Sequence, residues 1–176
     1  MTVTVRPATS ADATELAAVA AVTFPLACPP SVTDDDVADF LGSVLSEDRF
    51  AEYVGAPDRT VIAAVDRGGI VGYVMVVDGV VDDADVRAAV TALPAVEISK
   101  LYVLPGHHGE GVSHRLMDAA VNRARAGGAA GVWLGVNQEN VRAQRFYTKQ
   151  GFEKVGTKRF RVGGQLHHDF VMERRL

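Results

Sequence analysis

A chain of 176 residues, 48% hydrophobic and 23% charged, is long enough for one domain with a sizeable core, and 18 basic against 22 acidic residues leave a formal charge of −4. That balance gives no electrostatic footprint for a nucleic acid or an anionic membrane. The single cysteine, Cys28, excludes an intrachain disulfide and a cysteine-based metal cluster, and the absence of a signal-peptide pattern or a membrane-length apolar run makes a cytoplasmic protein the expectation.

Thr2 to Arg6 alternates as an opening strand closed by Pro7. Thr9 or Ser10 can cap a helix with Ala13, Leu16, Ala17, Ala20 and Phe24 on one face, and Pro25, Pro29 and Pro30 are expected to end it. Cys28 sits in the loop that follows and reads as a free thiol, because no activating pattern accompanies it. Asp34, Asp35 and Asp36 open a second helix, where acids suit the cap and the dipole, and Val37, Phe40, Leu41, Val44 and Leu45 follow at helical spacing. Val61–Val65 and Ile70–Val77 are apolar β runs joined by Asp66-Arg67-Gly68-Gly69, a hairpin signal. The segment from Asp78 to Pro94 reads as an inserted loop with a short helix around Ala84 to Leu93.

Glu97 to Val103 is a strand that runs into Pro105, Gly106, Gly109 and Gly111 and then into a helix reaching about Ala126. Glycines let backbone N–H groups face a ligand, and a helix start adds its positive dipole end, so a phosphate or pyrophosphate is the guest this architecture predicts. Gly106 to Ser113 has the spacing of a nucleotide P-loop, but Val112 stands at the lysine position, which removes the reading as an NTP-hydrolysing site. Val132–Val136 is the next strand, and the intervening helix predicts that it runs parallel to the previous one. Asn140 to Gln150 is a short helix on which Asn140, Ala143 and Tyr147 share a lane, with Asn137 just before it. Phe152–Val162 and His168–Arg174, linked through Gly163-Gly164, make a closing hairpin. The predicted order is β, two helices, β hairpin, βαβ, α, β hairpin.

Leu101-Tyr-Val-Leu-Pro, His108-Gly-Glu-Gly-Val-Ser113 and Asn140-Val-Arg-Ala-Gln-Arg-Phe-Tyr147-Thr-Lys-Gln-Gly-Phe152 together resemble the Gcn5-related N-acetyltransferase (GNAT) superfamily. The resemblance implies an α/β (α+β) fold over residues 1–176 as one acyl-CoA N-acyltransferase domain. Its sheet would be mixed and mostly antiparallel, with a central parallel βαβ unit and flanking helices. It implies that the backbone of Leu101, Tyr102 and Val103 pairs with the pantetheine arm of acetyl-CoA. The N–H groups of His108, Gly109, Glu110, Gly111, Val112 and Ser113 would hold the pyrophosphate. His108 and Ser113 depart from the family pattern there, and His108 is expected to give pH-dependent help. Asn140, beside Ala143, would hydrogen-bond the arm, and Tyr147 would protonate the departing thiolate.

Acetyl transfer to an amine needs a neutral nucleophile, while an alkyl ammonium has a pKa of about 10.4. Glu97, at the start of the central strand, is the candidate base, acting directly or through water. His167, His168 and Asp169 form a second cluster, read as a substrate rim and not as a metal site. The C-terminal half is similar to the branch that includes bacterial spermidine/spermine acetyltransferases, which implies a polyamine or other small primary amine as acceptor. A protein N-terminus or lysine as acceptor, and a non-catalytic acyl-CoA-sensing domain, are the alternatives. A deep acidic pocket beside Tyr147 would favour a polyamine and a shallow groove a protein. A homodimer is expected from similar proteins.

Overall fold

The computed structural model describes residues 2–79 and 82–176; Val80 and Val81, inside the predicted insert, and Met1 lie outside the described residues. The chain begins with β1 (Thr4–Pro7), a 3-10 turn at Ser10–Asp12, α1 (Ala13–Ala27), α2 (Asp34–Val44) and α3 (Glu47–Gly55). The predicted hairpin follows as β2 (Arg59–Asp66) and β3 (Gly69–Asp78), and then the insert helix α4 (Ala84–Ala89). The central unit is β4 (Ala95–Val103), α5 (Val112–Ala126) and β5 (Gly131–Asn137), succeeded by α6 (Val141–Lys149), β6 (Glu153–Val162) and β7 (Gln165–Arg175).

The strands form one seven-stranded sheet in the order β1-β2-β3-β4-β5-β7-β6. Each described pairing is antiparallel except β4 with β5, as the helix between those two strands requires. One face is covered by α5, whose Val112, Leu116, Met117, Ala120 and Val121 pack on Val74, Ile98 and Leu134. The other is covered by α1, α2 and α3 over Val61, Tyr73 and Met75. A third, smaller cluster joins α4 to the fully buried Trp133.

Three local expectations are corrected. The predicted order has two helices before the hairpin, but a third, α3, is present, capped by Ser46, whose hydroxyl accepts from the Arg49 N–H. Its Phe50 and Tyr53 are buried, so one apolar pair is enough to hold a short polar helix against α1. Pro25 does not end α1 but lies inside its last turn, where only the one N–H that the ring removes is lost before the helix stops at Cys28. The capping signal at Thr9 serves the 3-10 turn: the Thr9 N–H donates to the Asp12 carboxylate at 2.7 Å, and Arg6 holds the same carboxylate at 2.8 and 2.9 Å.

Candidate active site

β4 and β5 pair only over Ala95–Glu97 and Gly131–Trp133, and beyond that point they part. The parting coincides with a bulge. β3 pairs Met75 with Lys100 and then Val76 with Ile98, so Ser99 has no partner and interrupts the alternation of β4. The strand thus keeps its β3 edge and frees its other edge. The Leu104 N–H donates to the Val71 carbonyl at 2.8 Å, so by the alternation of an antiparallel ladder the main-chain groups of Leu101 and Val103 face the open side.

This open edge floors a groove of about 530 Å³ that runs from Tyr102 and Val103 past His108, Gly109, Gly111 and Ser113. Gly109 and Gly111 hold φ of +89° and +76°, left-handed values that suit glycine, and Gly111 is the N-cap of α5. Thr33, Ser46, Asp83 and Asn140 cap α2, α3, α4 and α6 with their side chains, whereas α5 has no capping side chain and no acid in its first turn. Its leading N–H groups therefore point unpaired into the groove, together with the dipole, which is what an anion requires. Val112 itself is buried in the core, so only its backbone is available there.

The side chains of the turn divide their tasks. Glu110 is engaged by His107 at 3.1 Å. His108 is exposed, and its pKa is pushed down by partial burial and by the cations Arg142 and His107. Arg142, which sequence reading missed, lines the groove beside it and keeps its charge. Permanent positive charge at the cradle comes from α6 instead of from His108.

At the bottom of the groove stands Tyr147. It packs edge-on against Phe146 and Phe152, at 5.4 and 6.0 Å between centroids, and burial pushes its phenol up to about 12. Asn140 caps α6 by accepting from the Ala143 N–H at 3.1 Å, so its amide NH₂ is the part left for a ligand. The buried Gln144 pins the helix to the end of β5 by donating to the carbonyls of Asn137 and Gln138 at 3.1 and 2.9 Å. The lane of Asn140, Ala143 and Tyr147 is thus fixed relative to the sheet.

Behind Tyr147 lies a second cavity, of about 230 Å³, on the α1–α2 face. Ala27, Leu101, Tyr102, Asn140, Ala143 and Tyr147 line both it and the groove, so the two spaces meet at that wall. Glu97, Lys100, Lys158, His167 and Asp169 line its interior, and Phe24, Cys28 and Pro29 form its roof. Burial pushes the Glu97 carboxyl above its ordinary range, and Lys100, Lys158 and Arg59 only partly offset that effect. Burial likewise pushes the Cys28 thiol up to about 11, which leaves little thiolate near neutrality. His167 and Asp169, from the second predicted cluster, are on the cavity wall, whereas His168 is exposed. Lys158 reaches Asp169 at 3.7 Å across Gly135, where any Cβ would collide with the lysine chain.

Among the described residues, no group of three His, Cys, Asp or Glu side chains could hold a metal ion, and no helix is long and apolar enough to cross a membrane.

A family profile described as "Acetyltransferase (GNAT) family" matches residues 29–152. A relative from Mycobacterium tuberculosis, described as an uncharacterized N-acetyltransferase, is 51% identical over 165 residues, 94% of this chain and 98% of the relative. The fold is similar to that of PaiA N-acetyltransferase from Thermoplasma acidophilum, solved in complex with coenzyme A, with a TM-score of 0.79 at 16% identity over the full length of both chains. It is also similar to ribosomal-protein-alanine N-acetyltransferase from Brucella melitensis, with a TM-score of 0.69 at 20% identity over 98% of this chain and 99% of that one. The chain therefore belongs to the acetyltransferase (GNAT) family of acyl-transferring enzymes.

Proposed function

We propose that the protein is a cytoplasmic N-acetyltransferase that moves the acetyl group of acetyl-CoA directly to the primary amine of a small molecule. The observation that carries this reading is the shared wall at Tyr147. A long groove with a free strand edge and an anion cradle opens there onto a smaller cavity that holds a carboxylate of raised pKa. When bound, acetyl-CoA supplies the thioester. Leu101 and Val103 hold its arm through main-chain bonds, and the N–H groups from Gly109 to Ser113, with Arg142, hold the pyrophosphate. Only an extended, anionic donor uses all of these features together.

The acceptor arrives as an ammonium, and Glu97 takes its proton directly or through one water. A carboxyl with a raised pKa is a stronger base than an ordinary one. The amine then attacks across the shared wall, where Tyr147 faces the leaving sulfur. A phenol near 12 opposite a thiol near 8.5 makes complete proton transfer uphill by about 5 kcal/mol. A hydrogen bond that strengthens as charge grows on sulfur is therefore the main contribution of Tyr147. Cys28 holds its proton too firmly to act as an acetyl carrier, which supports direct transfer.

Calorimetry with acetyl-CoA, followed by thiol release across a panel of primary amines, tests this reading. The expected result is binding, turnover on at least one amine, and a fall of about 100-fold in kcat for Tyr147→Phe at unchanged acetyl-CoA affinity. Binding without turnover on any amine would overturn it in favour of an acyl-CoA sensor.

A further inference from the structure

Lys100 is one of the charged cavity residues that the transfer chemistry above does not use. Three residues after Glu97, it belongs on the opposite face of a regular strand, yet the bulge at Ser99 turns both side chains into the same cavity. Its Nζ donates to the Ser99 carbonyl at 3.1 Å and to the Ser99 hydroxyl at 3.2 Å, and the Phe40 ring lies 5.9 Å away. No carboxylate among the described residues pairs with it. The ion pair of this cavity is Lys158 with Asp169, and it leaves Asp169 Oδ1 and the neighbouring His167 Nε2 buried without partners.

A buried ammonium that no carboxylate touches is only partly compensated, so a fold that keeps one facing a substrate cavity has room for an anion beside it. Lys100 and Lys158 balance Glu97 and Asp169, so the cavity complements a dipolar guest. A polycation would put its second ammonium beside these lysines. Like charges at close range in a partly desolvated site repel, which disfavours such a guest. The cavity volume of about 230 Å³ is below the roughly 300–1,000 Å³ of sites for drug-sized ligands, which limits the guest to amino-acid size.

We propose that the acceptor is a small amino carboxylate whose carboxylate docks on Lys100 while its amine lies between Glu97 and Tyr147. This rests on the acetyl-transfer reading for the role of the amine, and on the cavity alone for the carboxylate. Lys100 is then a specificity-determining residue. Asp169 Oδ1 and His167 Nε2 receive the remaining polar groups of the acceptor.

The test is calorimetry on protein saturated with coenzyme A, which forms a dead-end complex and needs no turnover. The titrants are α-amino acids and ω-amino carboxylates of three to five carbons, each beside the amine of equal length that lacks the carboxylate, and 1,5-diaminopentane. The expected result is that at least one amino carboxylate binds more tightly than its matched amine and than the diamine. Lys100→Met should then weaken that binding by about 10- to 100-fold, with coenzyme A affinity unchanged and the matched amine bound no more weakly than before. Lys100→Arg, which keeps the cation, should retain most of the preference. No amino carboxylate preferred by the natural protein, a preference that survives in Lys100→Met, or tighter binding of the diamine would each overturn the proposal. Thiol release in the same panel is read separately: binding without release refutes acetyl transfer and leaves the carboxylate site standing.

Discussion

At the scale of single residues, Glu97 and Tyr147 have opposite requirements that one environment meets. In the proposed reaction the base must strip a proton from an ammonium and the phenol must keep its own, and burial, by raising both pKa values, strengthens the base and holds the phenol protonated. Because Glu97 works as the carboxylate and its pKa is raised, kcat should fall with acidification at a higher pH than an ordinary glutamate, near 4.3, would give. Glu97→Gln should lower kcat by about 100-fold and remove that acidic limb, read from a pH profile of each protein. An unshifted limb in Glu97→Gln would assign the base elsewhere. Tyr147 and Asn140 were legible in the sequence because helical spacing alone puts them on one lane. Lys100 was not, since strand alternation assigns it to the wrong face and only the pairing register reveals the skipped Ser99. Lys158 and Arg142 were also missed, because their places depend on strands and helices far apart in the chain.

At the scale of elements, the helix starts explain why the cradle is open. α5 begins on Gly111 without a capping side chain, and its unpaired N–H groups await an anion, while α6 is closed by Asn140 and tied down by Gln144. Gln144→Ala removes both bonds to the end of β5; the Asn137 carbonyl keeps the Asn140 N–H at 3.0 Å but the Gln138 carbonyl loses its side-chain partner, at a cost of about 1–3 kcal/mol. Chemical denaturation should register that loss, and kcat should drop while acetyl-CoA affinity changes less, because Tyr147 shares the helix. Wild-type stability in Gln144→Ala would show that the anchor carries no weight. The glycine turn, the βαβ unit and both hairpins were readable from glycine placement and period. α3 was not, because its nine residues bury only one pair, Phe50 and Tyr53, and its Ser46 cap is a weak local signal.

At the scale of the molecule, function follows from the place where the sheet opens. Trp133, fully buried beneath α4, holds β4 and β5 together at their shared end, and the Ser99 bulge coincides with their separation three residues later. In the proposed reading, one side of the opening takes the extended arm of acetyl-CoA along a strand edge, and the other takes a compact dipolar acceptor beneath α1. Tyr147 stands between them. The parallel pair was predictable from the connecting helix, but where the two strands part depends on register, which no periodicity encodes. The proposed direct transfer requires that donor and acceptor be bound together before the acetyl group moves. Initial-rate kinetics with acetyl-CoA and the best-bound acceptor, both varied, test this most directly. Double-reciprocal lines that intersect are predicted, and parallel lines, the signature of an acetylated enzyme, would contradict it.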